Sequence, residues 1–187
     1  LSGAASGGMW RSTDAGNTWS LTTRLEDIQS VSTIAQDPRT GERSTWYYGT
    51  GEYSGSRYWH QNGGLLGDGI FKSTDGGQNW TLLASTSTAS PQTFANDFNH
   101  IHRLKVSPTN GYLFVGTSRN GKLKLSQDGG STWSDLLEAT DTDPSYVDVD
   151  ITSNGTVYAA VGGTFYWGSK TNKSGIFRST DDGASFT

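Results

Sequence analysis

Four copies of one eight-residue pattern punctuate this chain, and their recurrence constrains its fold more than any other feature. They read Ser12-Thr13-Asp14-Ala15-Gly16-Asn17-Thr18-Trp19, Ser73-Thr74-Asp75-Gly76-Gly77-Gln78-Asn79-Trp80, Ser126-Gln127-Asp128-Gly129-Gly130-Ser131-Thr132-Trp133 and Ser179-Thr180-Asp181-Asp182-Gly183-Ala184-Ser185-Phe186. Their first residues lie 61, 53 and 53 positions apart. Each octamer follows a short apolar-alternating run opened by glycine: Gly8-Met9-Trp10-Arg11, Gly69-Ile70-Phe71-Lys72, Gly121-Lys122-Leu123-Lys124-Leu125 and Gly175-Ile176-Phe177-Arg178. Such runs read as strands, and the octamer as the hairpin turn that follows them. Within the turn the Asp carboxylate accepts hydrogen bonds from backbone N–H groups, and the glycine two residues on tolerates positive φ. The closing Trp or Phe is expected to open the next strand and fold its ring over the turn.

A second pattern lies upstream of three of the octamers, with two β-rich runs separated by a turn signal. Val31-Ser32-Thr33-Ile34-Ala35-Gln36-Asp37 precedes Thr45-Trp46-Tyr47-Tyr48-Gly49-Thr50, and Ile101-His102-Arg103-Leu104-Lys105-Val106 precedes Tyr112-Leu113-Phe114-Val115-Gly116. The third copy is Tyr146-Val147-Asp148-Val149-Asp150-Ile151 before Thr156-Val157-Tyr158-Ala159-Ala160-Val161. Pro38-Arg39-Thr40-Gly41, Pro108-Thr109-Asn110-Gly111 and Ser153-Asn154-Gly155 supply the turns. One period is therefore four antiparallel strands, A to D, with the octamer between C and D. A four-stranded unit repeated every 50-odd residues is the blade of a β-propeller, which needs four to eight blades to close. Residues 1–30 read as the end of one blade entered inside strand C, 31–90 and 91–140 as whole blades, and 141–187 as a blade lacking its last strand. The fold class is all-β, an incomplete segment of a larger propeller, and the remaining blades or domains of a longer chain are expected partners.

Composition agrees. Glycine, at 25 of 187 residues, is about twice its usual share of roughly 7%, and charged residues stop at 17%. Seven Trp, eight Tyr and seven Phe provide material for a packed core. A net charge of -4 gives no basic footprint for nucleic acid, and no apolar run approaches the ~18 residues of a membrane span. Cysteine is absent, which excludes disulfides and thiolate metal sites. The chain opens at Leu1 without an initiator Met or a signal-peptide pattern, as a processed or partial chain does. Abundant Ser, Thr, Gly and Asn suit a secreted or cell-surface β protein.

The octamers resemble the Asp-box, or BNR repeat, of sialidase-like and sortilin-like propellers. Ala5-Ser6-Gly7-Gly8-Met9-Trp10-Arg11-Ser12-Thr13-Asp14, together with Tyr48-Gly49-Thr50-Gly51-Glu52, looks more narrowly like large secreted bacterial BNR-repeat proteins. Many of those are exported by the type IX system of Bacteroidota and carry a C-terminal sorting domain, which these 187 residues do not contain. The resemblance implies a sialidase-like or glycosyl hydrolase-like neighbourhood; a shared fold leaves the activity open.

Asp14, Asp75, Asp128 and Asp181 invite a catalytic or calcium reading, but a residue that recurs in the same turn of every blade is explained by the turn. The structural box residues are Ser12, Asp14, Gly16 and Trp19; Ser73, Asp75, Gly77 and Trp80; Ser126, Asp128, Gly130 and Trp133; and Ser179, Asp181, Gly183 and Phe186. These turns lie on the face opposite the B–C loops, where ligands are expected. Two B–C loops, 51–68 and 163–173, are long and aromatic, and they flank a short one at 117–120. Tyr53, Tyr58, Trp59, Tyr166 and Trp167, with Glu52, Arg57, Asp68 and Lys170, form the candidate ligand site, because flat rings stack on apolar ligand faces while polar groups fix orientation. The same aromatics could instead hold glycine-rich loops in place or bury a domain contact.

A glycosidase needs two carboxyl groups about 5 to 9.5 Å apart. Glu52, Asp68, Asp148 and Asp150 are the candidates outside the boxes, the last two on one face of an inner strand. A sialidase would carry an Arg-Ile-Pro motif, which does not occur here. His100 and His102 share a face at the start of an inner strand, but no third metal ligand accompanies them. Asn79-Trp80-Thr81, Asn154-Gly155-Thr156 and Asn172-Lys173-Ser174 match the N-glycosylation triplet, which means little in a bacterial chain. No phosphate loop or nucleophile elbow is found. The reading is an extracellular binding or adhesion module for glycan or protein, without metal or cofactor. The alternatives are a sialidase-like or xyloglucanase-like hydrolase with catalytic residues beyond this segment, and a structural subunit of a surface or secretion assembly.

Overall fold

A computed structural model of the chain describes all residues except 54–63, 90–95, 120, 140–144 and 164–173. The described residues form fourteen strands and two short 3-10 turns, Ala84–Thr86 and Asp97–Asn99. The first sheet is β1 (Ser2–Ala4), β2 (Gly8–Arg11) and β3 (Ser20–Leu21); the second is β4 (Val31–Gln36), β5 (Trp46–Thr50), β6 (Ile70–Ser73) and β7 (Thr81–Leu82). Next come β8 (Ile101–Val106), β9 (Leu113–Arg119), β10 (Lys122–Ser126) and β11 (Ser134–Glu138), then β12 (Ser145–Ile151), β13 (Val157–Gly163) and β14 (Gly175–Ser179). Every pairing is antiparallel, and within each blade the strands pair in chain order, the meander of propeller blades.

Three details differ from the sequence reading. The first sheet has a strand, Ser2–Ala4, ahead of strand C; its Ser-Gly-Ala composition carries no apolar alternation to reveal it. The short B–C loop at 117–120 is largely not a loop: Thr117–Arg119 prolongs β9, whose tip pairs with β12 at Ser118↔Tyr146 and joins the last two blades into one seven-stranded sheet. The β12 backbone satisfies donors and acceptors that a loop would leave to water. The box rings also behave differently. Trp80 donates its indole N–H to the Thr22 hydroxyl at 3.0 Å and Trp133 to the Ser85 hydroxyl at 3.2 Å, each in the preceding blade; Trp19 alone donates to its own turn, at Gly16 O. A ring this large has more apolar surface to cover between two sheets than over one turn.

The core lies between the blades. Met9, Val31, Tyr48, Phe71 and Trp80 fill the first junction; Tyr47, Ile70, Ile101 and Leu104 belong to the second; Phe114, Leu123, Val147 and Val157 belong to the third. Close approach there requires glycine in strand B: a Cβ on Gly49 would stand 2.5 Å from Ile101 Cγ2, and one on Gly116 would strike the Val147 carbonyl. The Asp-boxes join in, since a Cβ on Gly77 would meet Leu1 at 2.6 Å and one on Gly183 would meet Leu136 at 2.9 Å.

Candidate functional site

Each strand pair has two ends, and the structure separates fold from candidate chemistry between them. At one end sit the A–B turns and the boxes. In all four boxes the Ser hydroxyl donates to Asp Oδ1 at 2.7–2.8 Å and accepts from the backbone N–H four residues on, at Gly16, Gly77, Gly130 and Gly183. Asp Oδ1 accepts a backbone N–H, and Oδ2 a side-chain donor, from Thr18, Asn79, Thr132 or Ser185. Bonds of this kind favour the charged carboxylate. The Thr18 hydroxyl first, and then its N–H, hold Asp14 down at about 2, and the Ser185 and Ser179 hydroxyls do the same for Asp181. Asp75 and Asp128 are lowered further, by Asn79 and by Thr132. These carboxylates are occupied within their own turns.

At the other end, the base of the 51–68 loop is pressed against the segment leading into β8. Gly51 adopts φ +84, and a Cβ there would run into the Asn99 carbonyl oxygen, as would a Cβ on Gly67. Asn99 is buried, donates Nδ2–H to Gly67 O at 3.2 Å and accepts from Asn96 N at 2.8 Å. Lys124 and Lys122 anchor this segment through Asp97, at 2.8 and 3.2 Å. The anchored connection carries His100, whose ring meets Tyr53 edge-on at 5.4 Å. Two residues on, across a bulge in β8, His102 meets Tyr146 of β12 edge-on at 5.7 Å. The Tyr146 hydroxyl closes the group by donating to Tyr53 O at 3.3 Å. Burial, and then the neighbouring Tyr53, raise the Tyr146 phenol above its ordinary range. Tyr53, His100, His102 and Tyr146 thus form a row of rings drawn from three blades.

Of the sequence candidates, Tyr53 belongs to this row, and Glu52 directly precedes it in the chain. Glu52 pairs through its backbone with Leu65, and its exposed carboxylate has no partner among the described residues. Asp68 is turned away from the row. Its Oδ1 accepts from Thr88 N, Thr88 Oγ1 and Ser87 Oγ and clasps the turn after β7. Arg57, Tyr58, Trp59, Tyr166, Trp167 and Lys170 lie outside the described residues. Asp148 and Asp150 share one face, as the alternation predicts, and both are engaged: Arg103 Nε bonds Asp148 at 2.7 Å and Lys105 Nζ bonds Asp150 at 2.9 Å. Burial alone would raise Asp148, but Arg103 outweighs it and the carboxyl is lowered; Lys105 lowers Asp150. These pairs rivet β8 to β12. Sequence reasoning saw His100 and His102 as a failed metal pair and missed their rings. The available signal was that Tyr146 opens the next inner strand as His102 opens its own.

The BNR/Asp-box repeat profile matches residues 71–82, the second octamer with its flanking strand residues. No curated protein matches the sequence. Among solved structures, an ancestral GH74 enzyme superposes with a TM-score of 0.62 at 21% identity, over 98% of this chain and 21% of its own. The GH74 xyloglucanase from Xanthomonas campestris gives 0.60 at 18%, over 98% and 27%. A protein of unknown function from Dyadobacter fermentans gives 0.51 at 20%, over 95% and 56%. The chain thus spans about a fifth to a quarter of the two enzymes and just over half of the third protein. Repeat match, blade topology and these superpositions together make the fold a BNR-like Asp-box β-propeller.

Proposed function

We propose that this propeller is a secreted or cell-surface binding module that takes glycan at the row of rings at its mouth. The carrying observation is the convergence of Tyr53, His100, His102 and Tyr146 from three blades. Tyr53, His102 and Tyr146, seated over the buried His100, offer stacking surface to the apolar faces of sugar units, and the His102 imidazole and the phenol groups offer hydrogen bonds to their hydroxyls. Two proteins of similar fold are GH74 enzymes, one of them a xyloglucanase, which makes xyloglucan oligosaccharides the first probe to try.

The competing reading is a glycoside hydrolase. It is favoured by Glu52, an exposed carboxylate next to Tyr53. Hydrolysis needs a second carboxyl group. Asp68, Asp148 and Asp150 are tied to protein partners, so the second would come from outside the described residues.

The test is calorimetric titration of the complete protein with xyloglucan oligosaccharides, other β-glucans and sialosides, together with an assay for released reducing ends. Binding that weakens about tenfold in each of Tyr53→Ala and Tyr146→Ala supports the module, as expected for the loss of one stacked ring. Turnover abolished by Glu52→Gln moves the assignment to the hydrolase. Neither binding nor turnover across the panel overturns the glycan reading.

A further inference from the structure

A strand that alternates strictly buries every second side chain, and β8 departs from that rule at the mouth. Its register with β9 shifts between Ile101 and Arg103, and the bulge leaves two consecutive side chains on the open side. His102 is exposed and the Arg103 side chain is 43% exposed, between the buried Ile101 and Leu104. β4 has a bulge at the same place, between Val31 and Thr33, and uses it differently. There Ser32 bonds its own sheet at Gly49 O, and the buried Thr33 hydroxyl accepts from Leu104 N at 3.2 Å. β12 pairs with β13 without a bulge. Among the described inner strands, β8 alone carries two nitrogen-bearing side chains in succession at its exposed mouth end.

β12 supplies the surroundings of this pair. Tyr146 and Asp148 share one face of β12; His102 meets the Tyr146 ring, and Arg103 Nε donates to Asp148 Oδ1 at 2.7 Å. The second contact, from Arg103 Nη2 to Oδ2, is long at 3.5 Å. Asp148 therefore fixes the guanidinium by its Nε edge, and the remaining N–H groups of Arg103 have no other partner among the described residues. A guanidinium is a planar fork of five donors, and a carboxylate matches two of them at once.

We infer that Arg103 and His102 form a carboxylate-binding subsite beside the ring row, and that the glycan taken at the mouth contains uronic acid. The inference rests on the glycan reading and narrows it. A uronic acid holds its carboxylate at the edge of a flat pyranose, so a unit stacked on Tyr146 brings that group beside His102 and Arg103. A sialic acid fits less well, since its carboxylate stands on a quaternary carbon among bulky substituents. The outer N–H groups of Arg103 donate to the ligand carboxylate, and the His102 imidazole N–H supplies a further donor. Asp148 balances the charge of Arg103 in the free protein, so the subsite selects by the geometry of its donors more than by net charge.

The complete protein is titrated calorimetrically with tetragalacturonate and with its methyl ester, which keeps the sugar rings and removes the charge. The acid is expected to bind about tenfold tighter, because hydrogen bonds to a charged acceptor are the stronger ones. Arg103→Gln should bring the acid down to the ester's affinity. Arg103→Lys, which keeps the charge and loses the fork, should remove most of the preference. Where a variant fails to fold, the comparison of acid with ester in the unaltered protein still decides. Equal binding of the two, or a preference that survives Arg103→Gln, overturns the inference. Binding of xyloglucan oligosaccharides without binding of tetragalacturonate overturns it and leaves the glycan reading standing, whereas a panel in which no glycan binds removes both.

Discussion

The two ends of the blades solve the same backbone problem in opposite ways. At the box end, each turn binds its Ser hydroxyl and Asp carboxylate internally: Ser, Asp and the Thr, Asn or Ser four residues beyond the Asp close a circuit repeated in all four blades. At the mouth, the connections satisfy one another across long sequence distances. Asn99 binds Gly67, Tyr146 binds Tyr53, and Asp68 binds the turn at Thr88. The first arrangement can be copied from blade to blade because the Ser–Asp circuit closes within its own eight residues. The second differs at each blade, leaving rings and an exposed carboxylate at the surface. Repetition in this molecule belongs to the fold, and departure from it marks the candidate chemistry.

The sharpest way to separate the two ends is to add one methyl group to each. Gly51 and Gly76 both have left-handed backbone, at φ +84 and +75, but only at Gly51 would the Cβ meet another backbone atom, the Asn99 carbonyl oxygen. Gly51→Ala is expected to cost about 3 kcal/mol or more, and Gly76→Ala about 1 kcal/mol, from left-handed strain alone. Urea midpoints of the two variants check this. Ala15 already stands at the Gly76 position in the first box, at φ +59, so the conformation is tolerated there.

Ser73→Ala would break the box circuit from within, leaving the buried Gly77 N–H without its acceptor at a cost of about 2 kcal/mol. Acid should act on the same circuits. All four box carboxylates are held below their ordinary 3.8, so the unfolded chain binds more protons than the folded one as the pH drops. Their contribution is complete above about pH 4 and fades toward pH 2 and below. The urea midpoint should therefore fall between pH 5 and pH 2.5, and less steeply in Asp128→Asn. A midpoint constant over that range would show that the circuits do not distinguish the ionised state.

Asp148→Asn, on the inner strands, should cost less than about 1 kcal/mol, because its ion pair with Arg103 is half-exposed and screened by solvent. The smallest effect has the opposite sign. Ala15→Gly relieves a left-handed alanine and should stabilise the chain by about 0.5 kcal/mol, since glycine's extra unfolded-state entropy offsets part of the gain.

The sequence makes the box end readable because its logic is local. The Ser-x-Asp-x-Gly spacing alone implies an Asp side chain folded over its own turn, and the four circuits have that form. The destination of the box tryptophans is not readable in the same way: Trp80 and Trp133 find their partners 58 and 48 residues back, in the preceding blade. Ser2–Ala4 is a strand by pairing rather than by propensity. At the mouth, Asp68 looks like any other loop carboxylate until the turn at Thr88 is seen to close on it. The ring row required knowing that the starts of β8 and β12 lie side by side, a consequence of propeller geometry that no single segment encodes.

Hydrogen–deuterium exchange of the complete protein, with and without a saturating xyloglucan oligosaccharide, tests most directly the claim that the mouth binds while the boxes only fold. The account predicts slowed exchange in peptides containing residues 51–53, 98–103 and 145–147, with the amides of all four boxes unchanged. Slowed exchange at the boxes, with none in the mouth peptides, would contradict it.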